Sequence, residues 1–459
     1  MTTLLRPAGT ARANRLTFDD ALFLTMRRAL GVPVVTQTVW RFDTEVAVED
    51  VERFHRRLGH GPLNRVVVRS SVPGARDRWV RSSVTAPLVV APEPLEPGDV
   101  MDWVERHATL DLDPERGPTW SLAVARTTTG GSVLSFLTSH VVADGSLKLA
   151  ALAAAAEGRE LPRLPVDDLA AIQTPLREDL ADAAGQAAAA VRGLVGACRA
   201  RRDPAPEEAD QKGAAPPIPP LVEGDDEPWR PATVVVDCPA VEWEAAAAAG
   251  GGTGNSLLAA VCVEVLLASG RVSAGEPVRT VLPVSTRGAG DLRSNATTGV
   301  TICVETAEAD GVGVVPSLAR VRAAAKAEFT ALSDGTRRDP LAAIRPLLQL
   351  VPDAVVRRAA TSWPSPLVLA SNLGRLSPAL EAPVGVPARA VVNRAIYQRG
   401  TRNAARRSRA GLSAWWDRAG DTATLCVTGA DPDVFPCADV LRSLVERVYA
   451  RRGLTPSFW

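Results

Sequence analysis

The residue types and spacing that best suit a reaction in this chain are those of His140-Val141-Val142-Ala143-Asp144-Gly145. Transfer of an acyl group to a hydroxyl or an amine requires the acceptor to lose a proton as it attacks, and an imidazole titrating near neutrality suits that task. The same ring can return the proton to a departing thiolate. The chain has only four histidines. His55, His60 and His107 show no partners in sequence and are read as surface or packing residues. Asp144 could face the ring or point into the fold. A carboxylate turned inward must be paired. The expected partner is Arg287, in Pro283-Val284-Ser285-Thr286-Arg287, because arginine stays charged and grips carboxylates in a bidentate way. Gly145 is expected to give a backbone conformation closed to other residues and a close approach of ligand. The competing reading is a surface histidine followed by ordinary Asp-Gly turn chemistry.

The flanking elements decide whether such a histidine can face a cleft. An apolar stretch, Val133 to Leu137, runs into the motif and a helical run, Ser146 to Ala156, leaves it. His140 is therefore expected in a strand-to-helix turn. Elsewhere the first half alternates strand-like Val34–Phe42, Asn64–Ser70, Ser121–Arg126 and Gly131–Ser139 with helices at Val48–Leu58 and Gly98–His107. The second half has strands at Ala232–Cys238, Val278–Pro283, Gly299–Glu305 and Leu367–Ser371, then a meander through Trp416 and Leu425–Thr428. Its helices are expected at Ser256–Ala268, Val315–Leu332 and Ala438–Ala450. The pattern is α+β, in two mixed layers. Residues 201–230, dense in proline, charge and glycine, mark a linker or crossing segment between a domain at 1–200 and another at 231–459. The alanine-rich run Leu176–Arg201 is read as a packing helix at the junction in preference to a membrane-surface helix, because its bulky apolar face is weak.

Composition excludes several classes. At 459 residues with 46% apolar content and a formal net charge of zero, nucleic acid is not the expected partner. The six cysteines are scattered without metal-ligand spacing, so no metal is expected. Neither a secretory leader nor a run of about 18 apolar residues is evident, and a cytoplasmic protein with reduced thiols is expected. Ser285 lacks the glycine-flanked elbow of a serine hydrolase.

The motif resembles the HHxxxDG signature of the chloramphenicol-acetyltransferase-like superfamily, which includes nonribosomal peptide condensation domains and bacterial wax ester synthase/diacylglycerol acyltransferases. Other segments are similar to that group in the same order. They are Leu16–Leu24 (its "SPxDxxFL" opening), Thr253–Ala259 ("TVNDVLLA"), Pro283–Arg287 with Asn295 ("PVSxR…GN") and Ser371–Gly374 ("SNxG"). Departures are Ser139 at the first histidine, Ser256 at the aspartate of "TVND", and the lack of a "DFGWG" element. The last favours a freestanding acyltransferase over an assembly-line peptide enzyme.

The resemblance implies two chloramphenicol-acetyltransferase-like α/β sandwich domains in a V-shaped pseudo-dimer, with His140 midway along a channel between them. It implies a catalytic role for His140, a largely structural salt bridge between Asp144 and Arg287, and oxyanion donors among the backbone N–H groups near Gly145 and the side chain of Asn372. Asn372 is also read as a strand-end residue holding a turn. No tightly bound cofactor is expected. The co-substrate would be an acyl-coenzyme A or acyl-carrier-protein thioester, and the acceptor a small hydroxyl or amine compound. Partners would be limited to a carrier protein, with no more than peripheral membrane contact. Alternatives are a freestanding condensation enzyme joining carrier-bound substrates and a catalytically silent binding module. The loop Gly250–Gly254 is read as a helix cap before a phosphate cradle. The cluster Arg394, Arg399, Arg402, Arg406, Arg407 and Arg409 is read mainly as solvated charge, with coenzyme A phosphates as the competing use.

Overall fold

The structure is a computed structural model. It describes residues 14–161, 176–200, 221–288, 290–291, 293–306, 315–336, 353–359 and 365–459, with 345, 349 and 351 as single positions. Most of the expected crossing segment, 201–220, lies outside the described residues.

Strands with apolar residues on both faces form the middle of the first half. β1 (Val34–Phe42), β5 (Trp120–Arg126) and β6 (Ser132–Ser139) are almost wholly buried. Their β-branched and aromatic residues, interspersed with small polar ones, made them legible as elements. They lie in a sheet of order β11-β1-β6-β5-β4, where β4 is Val89–Val90 and β11 is Ala390–Tyr397. Helices α1 (Phe18–Leu30), α2 (Val48–Gly59), α3 (Val100–Ala108) and α4 (Gly145–Glu157) also belong to this half, with a small hairpin of β2 (Arg65–Val68) and β3 (Arg78–Arg81).

The second half is built on a seven-stranded sheet of order β14-β7-β13-β12-β10-β8-β9. Its strands are β7 (Ala232–Pro239), β8 (Val278–Ser285), β9 (Thr297–Val304), β10 (Val368–Arg375), β12 (Leu412–Ala419), β13 (Thr422–Gly429) and β14 (Ser457–Phe458). Helix α6 (Ala240–Ala249) and helix α7 (Gly254–Ala268) pack on it with α8 (Leu318–Ser333) and α9 (Ala438–Arg451). α7 is apolar around its whole circumference because it is the central core helix of this half. Among the described residues no single helix is long and apolar enough to cross a membrane, and α6 with α7 reaches that apolar length only across an 86° bend.

One sequence expectation is corrected here. Of the expected meander through Trp416 and Leu425–Thr428, the antiparallel hairpin of β12 and β13 forms, but the strand before it, β10, runs parallel to β12. The strand between them, β11, leaves for the first sheet and pairs antiparallel with β1 from Val34–Tyr397 to Arg41–Ala390. A parallel pair needs a long crossover connection, and β11 is part of that connection. The exchange knits the halves together: the first-half core around Trp40, Trp120 and Phe136 also holds Leu376, Leu380 and Val391. The helices Phe18–Leu30 and Ala240–Ala249 were not anticipated.

Helix α5 (Leu176–Ala200) is anchored by an unexpected face. Asp179 receives Arg15 at 2.5 Å and the Ser70 hydroxyl at 2.8 Å, Asp182 receives Arg76 at 2.7 Å, and Leu176, Leu180 and Val191 stay exposed.

The ladder between β8 and β10 contains only Val368–Thr280 and Leu369–Val281. Beyond it β8 continues with β9 to Ser285–Thr297, and β10 continues with β12 to Arg375–Arg418. The two strand ends are thus unpaired with each other beside the His140 turn.

Candidate active site

β6 ends at Ser139, and the chain turns at His140, whose backbone N–H donates to the Val34 carbonyl on β1 at 2.9 Å. Val141, Val142 and Ala143 are buried and fix the turn to the first-half core. Asp144 then caps α4, accepting the Leu147 N–H at 2.8 Å. This is the expected strand-turn-helix, and it leaves the His140 side chain half-buried at the junction of the two halves.

Asp144 is buried, as a structural carboxylate should be. Arg287 reaches both its oxygens at 3.0 Å, the Ala296 N–H donates at 2.8 Å and the Thr297 hydroxyl at 3.1 Å. The salt bridge is therefore formed as expected, though its geometry differs. One guanidinium nitrogen, Nη2, serves both carboxylate oxygens, while Nη1 donates to the carbonyls of Asp291 and Arg293. Arg287 thus fastens the 287–294 loop to the turn. Arg65 adds a second fastening: buried and stacked over Trp79, it donates to the Val142 carbonyl and the Ser294 hydroxyl, both at 2.8 Å. Burial pulls its guanidinium down to about 10.

The residue that governs the histidine ring was not among the sequence-derived site residues. Asn295 Oδ1 lies 3.1 Å from His140 Nδ1. The amide cannot be turned round, because its nitrogen donates to Asp20 Oδ1 at 3.0 Å and to the His140 carbonyl at 3.1 Å. A carboxylate oxygen and a carbonyl only accept, so Asn295 presents its oxygen to the ring. Nδ1 then carries the hydrogen and Nε2 carries the free lone pair. Asp20 is itself fixed by its helix. Its Oδ2 closes a capping box with Thr17 at the start of α1, leaving Oδ1 for the Asn295 amide and backbone N–H. Burial raises the Asp20 carboxyl, against hydrogen bonds from Thr17 and Asn295 and the charge of Arg65.

Phe23, one turn along α1 from Asp20, stacks on the His140 ring with centroids 3.8 Å apart and planes 18° from parallel. Loss of water lowers the imidazole pKa, and the His140 carbonyl, Asp144 and Asn295 oppose that only in part. The ring is held neutral near pH 7. The segments containing Asp20, Phe23 and Asn295 all lie in the stretches that carried the family resemblance, which was the available signal for them.

The remaining predicted residues fall as follows. Ser139 is buried at the end of β6, bonded through its backbone to Thr119 and Val142. Gly145 does not adopt the left-handed backbone expected of it, being an ordinary first residue of α4. A Cβ there would meet only Leu373 Cδ2, at 3.5 Å. Asn372 accepts the Gly374 N–H at 2.7 Å across a bulge in β10, so it does hold a turn. Its side chain faces Gly254, while the neighbouring Leu373 is the residue that reaches the His140 turn. Ser256, where the resemblance has an aspartate, completes a capping box with Thr253.

Four of the six clustered arginines are tied to other side chains. Arg394 is buried on Gln37 and Glu105, Arg399 pairs with Asp111, and Arg402 and Arg406 pair with Asp225. His107 proves to be a core residue between the hydroxyls of Ser135 (2.7 Å) and Ser121 (3.0 Å), and burial pushes its imidazole down to about 4.

A cavity of about 620 Å³ lies on the α7–α8 side of β10, walled by Thr253, Gly254, Arg322, Lys326, Phe329 and Asn372 among others.

No family model and no curated protein matches the chain. Solved structures do. A wax ester synthase/diacylglycerol acyltransferase from Marinobacter aquaeolei VT8 is 15% identical, with 96% of this chain and all of that one aligned at a TM-score of 0.53. The first condensation domain of the calcium-dependent antibiotic synthetase, in complex with a substrate analogue, is 14% identical, with 96% of each chain aligned at 0.57. The starter condensation domain of rhizomide synthetase, in complex with C8-CoA, is 11% identical, with 96% of this chain and 95% of that one aligned at 0.51. The chain shares the two-domain α+β fold of these proteins.

Proposed function

We propose that this chain, folded as condensation domains and wax ester synthases are, is an acyltransferase moving an acyl group from a thioester to a hydroxyl or amine acceptor. The observation that carries the reading is the amide of Asn295. With its nitrogen held by Asp20 and its oxygen on His140 Nδ1, it leaves Nε2 bare as a general base. Nε2 takes the acceptor's proton as the acceptor oxygen or nitrogen attacks the thioester carbonyl. Collapse of the tetrahedral intermediate breaks the C–S bond, and the same imidazolium returns the proton to the thiolate.

The oxyanion needs donors. Gly145 and Ser146 are the first two residues of α4, and N–H groups at that position have no partner within a helix. They lie at its positive end, beside the histidine turn. Asp144, held by Arg287, keeps that helix start in place. The donor would be coenzyme A-bound or carrier-bound, in keeping with the C8-CoA held by one structural neighbour, and it would reach His140 between the two halves.

The test is release of free thiol from a panel of acyl-coenzyme A and acyl-carrier thioesters, with wild type and His140→Ala. Turnover lost in the variant is the expected result. Full turnover in His140→Ala would overturn the mechanism, and binding without product in wild type would leave a silent member of the fold.

A further inference from the structure

Helix α4 carries a second buried charge that the acyl-transfer reading leaves unused. Lys148 lies one turn beyond Asp144 and donates its backbone N–H to the Asp144 carbonyl at 2.9 Å. Asp144 is tied to Arg287, Ala296 and Thr297, whereas the Lys148 side chain reaches the first sheet. Its Nζ donates to the Gln37 carbonyl on β1 at 3.3 Å and to Asn393 Oδ1 on β11 at 3.0 Å. Asn393 continues the row: its Nδ2 donates at 3.1 Å to Asp417 Oδ2 on β12, a strand of the second sheet. Lys148 is 2% exposed, and Asn393 and Asp417 are 1% exposed.

The orientation of the Asn393 amide is forced. An ammonium only donates, and the Thr38 hydroxyl donates to the same Oδ1 at 2.6 Å. The amide oxygen therefore faces the cation and the amide N–H faces the carboxylate. Its dipole lies along the line between them, so Asn393 relays the attraction of two groups that do not touch.

Such a row is a poor stabiliser, since both charges lose their water. Nζ meets two acceptors among the described residues where an ammonium has three hydrogens, and Asp417 Oδ1 has no partner among them. Burial pulls the Lys148 amine down to about 7 and pushes the Asp417 carboxyl up to about 8, each resisted by the charge of the other. A well-packed apolar filling is often the more stable one, so core stability does not account for these residues.

Their position does. The row joins the helix that leaves the His140 turn to β1, whose Val34 carbonyl holds the His140 N–H, and then to β11 and β12. Val34 and Gln37 are three residues apart on β1, about 10 Å. A charge on Lys148 thus acts on the ring through an interior that screens it poorly. Loss of water lowers the His140 pKa first, and the charge of Lys148 adds to it. The other charged groups around the row are engaged elsewhere. Asp237 on β7 receives Thr424 and Trp459, Arg394 holds Gln37 Oε1 and Glu105, and Arg287 neutralises Asp144.

Resting on the acyl-transfer reading, we infer that Lys148 is a positioning residue for the base. With Asn393 and Asp417 it fastens the first turn of α4 to the second sheet, and it sets a positive charge near His140 that keeps the ring free of a proton. The histidine turn is then held from two sides, by Arg287 on one and by this row on the other.

Urea midpoints, thiol release and an NMR titration of the His140 ring test it together. Lys148→Met alone strands the Asp417 carboxylate and is expected to lower the midpoint. Lys148→Met/Asp417→Asn removes both charges and keeps an acceptor for the Asn393 amide, so its midpoint is expected to return to that of wild type or above. Turnover is not expected to return with it. In the double variant kcat should stay down by about tenfold, a part of what a well-placed general base supplies, with KM little changed. Its His140 ring should titrate higher by about half a pH unit, the effect of one charge removed from roughly 10 Å away. A wild-type kcat at restored stability, or an unchanged ring titration, would overturn the assignment. The titration can be read in any variant that folds, so it decides even where a midpoint stays low. The two proposals fail separately. A wild type that releases no thiol removes the acyl-transfer reading, while the ring titration still decides whether Lys148 acts on His140.

Discussion

Asn295 binds His140 Nδ1 with its amide oxygen while Asp20 holds its amide nitrogen. The tautomer of the proposed base is thereby set by a carboxylate that never touches the ring. Asn295→Ala removes that control. Its expected effect is a fall in kcat of about 10²-fold, within the range general-base catalysis supplies, with little change in KM. Ring ¹⁵N shifts of His140 check the cause, because a mixture of tautomers should replace the single Nδ1–H form. An unchanged ring spectrum with full activity would contradict the role.

Loss of water around His140 lowers its pKa below the ordinary 6.5. The base works unprotonated, so kcat/KM should hold constant at neutral pH and fall only below 6.5. A pH profile of thiol release reads this directly. An inflection at or above 6.5 would show that the ring is not depressed in the free protein.

Arg287 neutralises a carboxylate that is 1% exposed. Arg287→Ala leaves Asp144 charged and buried, a loss of about 3–5 kcal/mol by analogy with other broken buried pairs. Asp144→Asn keeps an oxygen for the Leu147 cap and should cost less. Urea midpoints of the two variants compare them, and equal midpoints would mean that the pair does not hold the turn.

His107 is pushed from 6.5 to about 4 by burial. Between those values the unfolded chain binds a proton that the folded chain does not. Stability is therefore intact above pH 6.5 and lost as pH falls toward 4, by on the order of 3 kcal/mol. His107→Gln should lower stability at pH 7 but flatten the dependence between pH 6.5 and 4. Urea titrations at a series of pH values show whether it does.

Much of this protein was written locally. The strand entering His140, the helix leaving it and the Asp144 cap all depend on residues within a few positions of one another, and alternation, apolar runs and capping residues report such order directly. The Asp144–Arg287 pair was also legible, because a buried carboxylate demands a cation and Pro283–Arg287 resembles the family segment whose arginine supplies one.

Tertiary structure alone decided the rest. Asn295 meets His140 across 155 positions and Asp20 meets Asn295 across 275, and no spacing rule connects them. β11 was not placed, because nothing in Ala390–Tyr397 says that its partner is β1 rather than its neighbours in sequence. The left-handed turn expected at Gly145 gave way to a helix that begins one residue earlier, at a position where glycine is not required. Sequence fixes which groups can donate, accept or carry charge; packing of distant segments fixes which of them end within 3 or 4 Å of one another.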